Sequence, residues 1–264
     1  MKPTHASLTL LLLAITSAGC ATVSDDACVA DRKIGLNGVS LNGVSLNGVS
    51  LNGVSLNKLG ANGLRTGTLS EIALTTGALG EALAPHALDD DFTALLLAYT
   101  VSCALTPEQH VDVVIDGETE RLSGGLGLAP AWGQTDGSCD AECQGWVSAC
   151  LVARTNFKGE SVQISLLGDI AALEPTEEEA ATFAIEEATY YGDLFADAPT
   201  LFACTPDGAD APERTCGGDA SDCYIRIVGE CSAVCDADGC LDDVGRRHAQ
   251  TITVNVRDEA NSCG

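Results

Sequence analysis

The stretch from Cys139 to Arg154, CDAECQGWVSACLVAR, gives the clearest local fold signal in the chain. Its large apolar residues and two of its cysteines recur at helical spacing, so that Cys143, Trp146 and Cys150 share one face. The spacing predicts a helix over residues 139–154, with Ser138 as its N-cap. A helix with one apolar face has to pack against another element, and the rest of the chain provides several partners.

A second helix is predicted over residues 89–104, where apolar residues again follow helical spacing and place Cys103 on the buried face. Two buried thiols on packed helices can come within bonding distance, so we expect Cys103 to form a disulfide with Cys150. Cys139 and Cys143 are not expected to bond to each other. Regular helix geometry points side chains at i and i+4 poorly for a bridge.

Strands are predicted by short apolar or alternating segments at 111–115, 119–122, 162–166, 201–204, 224–228 and 251–256. Asp116-Gly117 between the first two of these predicts a hairpin turn. Thr176 and Glu179 fit a capping box at the start of one more helix. Helices and strands do not alternate regularly, so the predicted class is α+β, a disulfide-rich mixed domain over residues 85–264.

The chain has 13 cysteines in 264 residues, a content that is typical of exported proteins. If Cys20 is lipidated, twelve remain for disulfides: Cys28, Cys103, Cys139, Cys143, Cys150, Cys204, Cys216, Cys223, Cys231, Cys235, Cys240 and Cys263. Residues 85–264 contain eleven of them, an odd number. If all eleven form disulfides, one of them needs a partner from outside the domain. We expect that partner to be Cys28, in a disulfide with a cysteine of residues 85–264.

The sequence LNGVS occurs four times without change from Leu36 to Ser55, and aliphatic residues keep this period of five over residues 31–80. The period matches neither a helix nor a strand. It resembles pentapeptide-repeat proteins, in which each repeat forms one side of a square coil, although here Asn follows the Leu. We assign residues 34–80 to a pentapeptide-repeat segment. Both a short solenoid and a flexible, glycine-rich tether fit the pattern.

The first 19 residues are expected to be a signal peptide, with Lys2 at the start and an apolar run too short to span a bilayer. Small residues precede Cys20 and resemble a bacterial lipobox, in which Cys20 is acylated and becomes the first mature residue. Ser17 stands where such lipoboxes usually have Leu, and ordinary cleavage after Ala21 is the competing interpretation. Residues 20–33 would then be a lipidated tether that binds the membrane through its lipid.

Two metal hypotheses follow from residue spacing. The first is a site formed by Cys231, Cys235, Cys240 and His248, but the chain has no CxxC pair and an oxidising compartment favours disulfides. The second is an irregular calcium site formed by Asp236, Asp238, Asp242 and Asp243. These acids do not match the ligand order of an EF-hand, and solvated surface charge is the simpler interpretation. We expect no cofactor.

Composition and motifs exclude several function classes. With 13 basic and 38 acidic residues, the formal net charge of −25 argues against nucleic acid as a partner. The sequence has no GxSxG, HExxH, phosphate-loop or GxGxxG motif. His86, His110 and His248 are the histidines beyond the signal peptide. An acid/base cleft formed by Glu186 and Glu187 with the neighbouring tyrosines is weighed against a plain polar edge, which we favour.

Short segments of the chain carry a family resemblance: LAYTVSCAL (97–105), GWVSACLVARTN (145–156), VQISLLG (162–168) and YYGDLFA (190–196), after LNG-type repeats and a lipobox. Together they resemble uncharacterised cysteine-containing lipoproteins of myxobacteria. The resemblance implies an envelope location but no activity and no catalytic residue. Ala21, next to Cys20, implies the outer membrane by resemblance to Gram-negative lipoproteins.

Two function classes remain open at this stage. The first is a non-catalytic, lipid-anchored envelope protein that displays a binding or structural domain to an unknown envelope or extracellular ligand. The second is a secreted or surface hydrolase of unrecognised type. A histidine held beside a carboxylate or hydroxyl in a cleft would favour the hydrolase.

Overall fold

A six-stranded sheet forms the centre of the fold, with the order β1–β4–β11–β5–β6–β7. The computed structural model describes residues 44–47, 66–83, 91–115, 117–154, 162–216 and 225–257. The strands of this sheet are β1 Val44–Asn47, β4 Val162–Leu167, β5 Ile185–Asp193, β6 Thr200–Thr205, β7 Arg226–Glu230 and β11 Ile252–Val256. Neighbours pair antiparallel except β6 and β7, which are parallel.

Two smaller sheets, seven α-helices and two short 3-10 helices, Pro130–Gly133 and Ala171–Leu173, complete the described structure. The smaller sheets contain β2 His110–Ile115 with β3 Glu118–Ser123, and β8 Cys235–Asp236, β9 Gly239–Leu241 and β10 Arg247–His248. The helices are α1 Thr66–Glu71, α2 Thr76–Leu83, α3 Asp91–Ala104, α4 Ala141–Ala153, α5 Glu177–Thr182, α6 Glu213–Cys216 and α7 Cys231–Val234. The predicted α+β class is confirmed. Among the described helices, none is long and apolar enough to cross a membrane.

The main core lies on one face of the central sheet, against α4 and α3. Alternate residues of the strands point to this face, including Ile164, Leu166, Tyr190 and Val254, all of which are fully buried. Helix α4 packs on β5 and β11 and touches α3 on its other side. It is buried almost throughout because it lies between the sheet and α3.

The predicted hairpin is confirmed. Strands β2 and β3 pair antiparallel from His110 opposite Ser123 to Ile115 opposite Glu118. Gly117 in the turn has a φ of +82°, a left-handed conformation that glycine adopts without strain.

The disulfide between Cys103 and Cys150 is present as predicted and joins α3 to α4. Both cysteines are fully buried, and their Cα atoms lie 6.1 Å apart. The Arg154 guanidinium lies beside this bridge, 4.3 Å from the centre of the Tyr99 ring, and donates to the hydroxyl of Ser102. Burial lowers the pKa of Arg154 to about 10, so it stays charged at neutral pH.

The predictions for the start of α4 were wrong. The N-cap is Asp140 instead of Ser138, and its Oδ1 accepts a hydrogen bond from the Cys143 amide at 3.0 Å. Cys139 therefore precedes the helix and does bond to Cys143, with 5.1 Å between the Cα atoms. The argument against this bridge applied to two residues inside one regular helix. Because Cys139 lies outside the helix, before the extended cap residue Asp140, its side chain is free to turn towards Cys143.

Residues 66–80 do not continue the repeat as one structure, contrary to the assignment of residues 34–80. They form α1, a short connection and part of α2. Leu69, Leu74 and Leu79, which keep the period of five, are 4%, 1% and 0% exposed in the main core. The Asn-Gly pairs end at residue 63, so the glycine-rich corners that the coil requires are missing from this part of the sequence.

Specific hydrogen bonds fasten residues 66–83 to the domain. The Trp132 indole donates to the carbonyl of Ile72 at 2.8 Å, and the Trp132 carbonyl accepts from the Leu74 amide at 2.9 Å. The Cys139 amide donates to the carbonyl of Ser70 at 2.8 Å. Part of the main core thus comes from residues that precede position 85.

Four residues of the repeat, at the junction of its second and third copies, are described and take part in the central sheet. Val44–Asn47 forms the edge strand β1 and pairs antiparallel with Val162–Ser165 of β4. The predicted signal peptide, the lipidated Cys20 and the disulfide partner Cys28 lie outside the described residues, as does the rest of the perfect repeats.

Glu179 on α5 is a buried carboxyl under the second face of the sheet. It is 5% exposed, and its Oε1 accepts a hydrogen bond from the Ser165 hydroxyl at 2.6 Å. The Thr176 hydroxyl caps the same helix by accepting from the Glu179 amide, as the capping-box pattern predicts. Burial raises the pKa of Glu179 above its ordinary value of 4.5, and the bond from Ser165 offsets only part of that effect.

We expect Glu179→Gln to raise the unfolding temperature at pH 7.5. Above its raised pKa, wild-type Glu179 holds a buried charge in the folded state, whereas below 4.5 the carboxyl is neutral in both states and this cost disappears. The advantage of Gln should therefore shrink as the pH falls towards 4.5, as thermal unfolding at several pH values would show. Glu178→Gln, at an exposed position of the same helix, should give no such pH-dependent difference. An equal offset at every pH would contradict the assignment.

Candidate functional site

A second, smaller core lies on the opposite face of the central sheet, where the sheet of β8–β10 packs over β5 and β6. Its buried residues are Tyr191, Phe202, Cys204 and Cys240. Tyr191 and Tyr190 are consecutive in β5 and point to opposite faces, so this strand contributes one ring to each core. We refer to this second cluster, together with the disulfides and the histidine described next, as the disulfide mini-core.

Two disulfides form the centre of the disulfide mini-core. Cys204 of β6 bonds to Cys231 at the start of α7, and Cys235 of β8 bonds to Cys240 of β9. The Sγ atoms of Cys204 and Cys235 are 3.4 Å apart, so the two bridges touch. The sequence contained the four cysteines but not their pairing, because β8 and β9 are too short to show a period.

His248 is the one predicted histidine that the structure places beside a carboxylate within the described residues. Its Nε2 is 3.2 Å from Oδ2 of Asp242, and the two side chains are 10% and 4% exposed. The imidazole also contacts the rings of Tyr191 and Phe202, each with 5.5 Å between ring centres. Gly239, with a φ of +113°, lets β9 approach: a Cβ at that position would lie 2.1 Å from the His248 carbonyl oxygen.

Several hydrogen bonds hold Asp242 in its charged form. Desolvation acts to raise the pKa of Asp242. Hydrogen bonds from the Arg246 amide, His248 and the Val244 amide lower the pKa by more than desolvation raises it. The pKa of Asp242 is therefore below its ordinary value of 3.8. The amide bonds are 2.7 Å from Arg246 and 3.0 Å from Val244, both to Oδ1. This arrangement fixes the orientation of the His248 ring.

The acids of the calcium hypothesis take separate partners. Asp236 pairs with Arg247, Asp243 pairs with Arg226, and Asp242 binds His248. Asp238 uses its backbone amide to donate to Asp236. Among the described residues, the possible metal ligands that lie together in a group of three are cysteine sulfurs. This group contains no carboxylate. These contacts give the calcium prediction no support.

Glu187 belongs to a buried network instead of an acid/base cleft. The Arg214 guanidinium of α6 forms a salt bridge with Glu187, and the two side chains are 7% and 10% exposed. The Tyr190 hydroxyl donates to Glu187 Oε2 at 3.1 Å and lies 3.2 Å from the Thr215 hydroxyl. Burial, with the Glu187 charge, raises the pKa of Tyr190 well above its ordinary value of 10.0, so the hydroxyl stays protonated. Glu186 is exposed on the same strand.

The glycine-rich loop at 124–127 uses its amides within the protein. The amides of Gly125 and Gly127 both donate to the carbonyl of Leu105, at 2.7 and 2.9 Å. The amide of Leu126 donates to the carbonyl of Ser102 at 2.8 Å. These bonds satisfy carbonyls at the end of α3, so the three amides are not available to bind an anion.

A separate open groove of about 730 Å³ lies at the end of β4. Residues 167–175 line it together with Thr251 and Thr253, and Asp169 and Glu174 give it acidic character. The groove does not include His248. His110 is exposed at the start of β2, and His86 lies outside the described residues.

The remaining predicted disulfide residues are not placed. The side chains of Cys216, Cys223 and Cys263, like Cys28, lie outside the described part of the chain. The described bridges use eight of the eleven cysteines in residues 85–264, so three are left for other partners. The bond from Cys28 into the domain stays a prediction.

No protein-family model matches the chain, and no curated protein or solved structure is significantly similar to it.

Proposed function

We propose that this chain is a non-catalytic, lipid-anchored protein of the cell envelope that displays a disulfide-rich binding or structural domain. The observation that carries the proposal is the set of four disulfides within the described residues, in a chain whose first 19 residues have the pattern expected of an export signal. Disulfides persist in oxidising compartments such as the periplasm and the cell surface, and are rare in the cytosol.

The location follows from the N-terminal sequence. Acylation at Cys20 would attach the chain to the outer membrane, facing the periplasm or the exterior, as Ala21 implies by resemblance to Gram-negative lipoproteins. The repeats between the anchor and α1 would act as a short solenoid or a flexible tether, with Val44–Asn47 paired with the edge of the sheet. The partner would be an envelope or extracellular ligand.

We expect Cys20→Ser to move the full-length protein from the membrane fraction to the soluble fraction when it is produced in a Gram-negative host. Without the thiol, no diacylglyceryl group can be attached, and the apolar anchor is lost. Quantitative immunoblotting of salt-washed membranes measures the change. Cys28→Ser is the matched control and should stay with the membrane. Equal membrane retention of the Cys20→Ser protein would contradict the anchor.

The alternative function, a secreted or surface hydrolase, is favoured by one observation, the pair of His248 and Asp242. In hydrolases such a pair activates a nearby hydroxyl or thiol. Among the described residues, the hydrogen bond of the ring goes to Asp242, and its sulfur neighbours are in disulfides. Turnover of ester or amide substrates that is lost in His248→Gln would support the hydrolase over the display protein.

A further inference from the structure

Three sulfur atoms of the disulfide mini-core lie close enough to bind one metal ion. The Sγ atoms of Cys204, Cys231 and Cys235 are all within 4.8 Å of one another. Cys240 is bonded to Cys235, so its sulfur is next to one member of this group, although it is not within 4.8 Å of all three. One sulfur comes from β6 and the others from the segment 231–240, so the cluster joins the central sheet to the small sheet.

These separations suit a tetrahedral zinc site. Zinc binds thiolates at about 2.3 Å, which places the sulfurs of a tetrahedral site about 3.8 Å apart. The contact between the two bridges, 3.4 Å from Cys204 to Cys235, is already near that value. In a disulfide the two sulfurs are about 2.05 Å apart. After reduction, rotation of the side chains therefore has to increase the sulfur–sulfur distance within each pair by about 2 Å.

We propose that Cys204, Cys231, Cys235 and Cys240 form a zinc-binding thiolate site when their two disulfides are reduced. The donor set differs from the one that the spacing indicated, because Cys204 replaces His248. His248 is held by Asp242 and by two aromatic rings, whereas the Cys204 sulfur is bonded to Cys231 and touches the sulfur of Cys235.

The reduction step needs an external dithiol as reductant. Each disulfide accepts two electrons and two protons and becomes two thiols, while the dithiol is oxidised to a disulfide. Zinc then displaces one proton from each thiol that it binds. Cys231 and Cys235 are partly exposed, whereas the other two described bridges are buried, so a dithiol reaches the mini-core first. Disulfide and zinc would be alternative cross-links of the same elements.

Cobalt(II) is the probe for this site, because its absorption reports thiolate ligation and tetrahedral geometry. Full-length protein is reduced anaerobically, its thiols are counted, and cobalt is added. We expect one cobalt ion per chain with thiolate charge-transfer bands, which zinc then removes. Cys235→Ala/Cys240→Ala should lose these bands after the same treatment. Cys139→Ala/Cys143→Ala is the matched control and should keep them.

A second measurement covers the case in which the mini-core variant does not fold. Zinc should protect Cys204, Cys231, Cys235 and Cys240 of the reduced wild-type protein from alkylation, as read by peptide mass spectrometry. Failure of the reduced wild type to bind cobalt, with these four thiols counted as free, would overturn the proposal. So would unchanged cobalt bands in a folded Cys235→Ala/Cys240→Ala protein, or alkylation of all four cysteines in the presence of zinc.

Discussion

Replacing both Cys103 and Cys150 by alanine is expected to lower the free energy of unfolding by about 4 kcal/mol. The bridge spans 47 positions of sequence and joins α3 to α4, the two helices nearest the centre of the main core. Without it, the unfolded chain gains the entropy of a large open loop, and this favours unfolding. Denaturant titration followed by Trp fluorescence measures the loss, since Trp132 and Trp146 are both buried.

Cys139→Ala/Cys143→Ala is the matched control for this prediction. It also removes one buried bridge, but the sequence separation is 4, so the same loop argument predicts a loss of about 2 kcal/mol. The order of the two losses is the test. If both double variants lose the same free energy of unfolding, the Cys103–Cys150 bond does not stabilise the protein through loop closure.

Glu187→Ala is expected to destabilise the domain by about 3–5 kcal/mol, because it leaves the buried Arg214 guanidinium without its carboxylate. Glu187 accepts hydrogen bonds from Arg214 Nε at 3.0 Å and from the Tyr190 hydroxyl at 3.1 Å. Arg214 belongs to α6, so the network also fastens the segment after β6 to β5. Chemical denaturation at neutral pH measures the change.

The exposed pair of Asp112 and Arg121 provides the comparison. Its side chains are 29% and 63% exposed, and Asp112→Ala should cost far less stability than Glu187→Ala. Glu187→Met/Arg214→Met should recover most of the stability lost in Glu187→Ala, since it removes both buried charges together. If the double variant is as unstable as Glu187→Ala, the loss arises from packing and not from the broken charge pair.

The sequence predicted those parts of the fold whose pattern is formed by residues close together in the chain. The hairpin at Gly117, the strand β4 and the helices α3 and α4 each depend on neighbouring residues, and all are present, although Ser165 of β4 is buried as well as Ile164 and Leu166. The bridge from Cys103 to Cys150 was predictable because both cysteines lie on the predicted apolar faces of these helices.

The parts that the sequence did not predict depend on contacts across long separations or on very short elements. Arg214 meets Glu187 across 27 residues, and nothing in the pattern around Glu187 indicated its partner. The strands of the small sheet are two or three residues long, too short for any period. The acids near His248 were interpreted as solvated surface charge or as an irregular calcium site, because composition alone does not show that Asp242 faces an imidazole.

Residues 66–80 were assigned to the repeat segment but fold as helices. The aliphatic period of five continues through them, and it identified three residues of the core. The same residues lack the Asn-Gly pairs and have helix-forming neighbours, so the backbone differs although the leucines are still buried. The period indicated which side chains are inside but not the conformation that places them there.

The central claim, a lipid-anchored envelope protein, is tested most directly by the mass of the mature N-terminal peptide from protein extracted from membranes with detergent. The account predicts that this peptide begins at Cys20 and carries a diacylglyceryl group on its sulfur. A peptide that begins at Thr22 without lipid, which is the product of cleavage after Ala21, would contradict it.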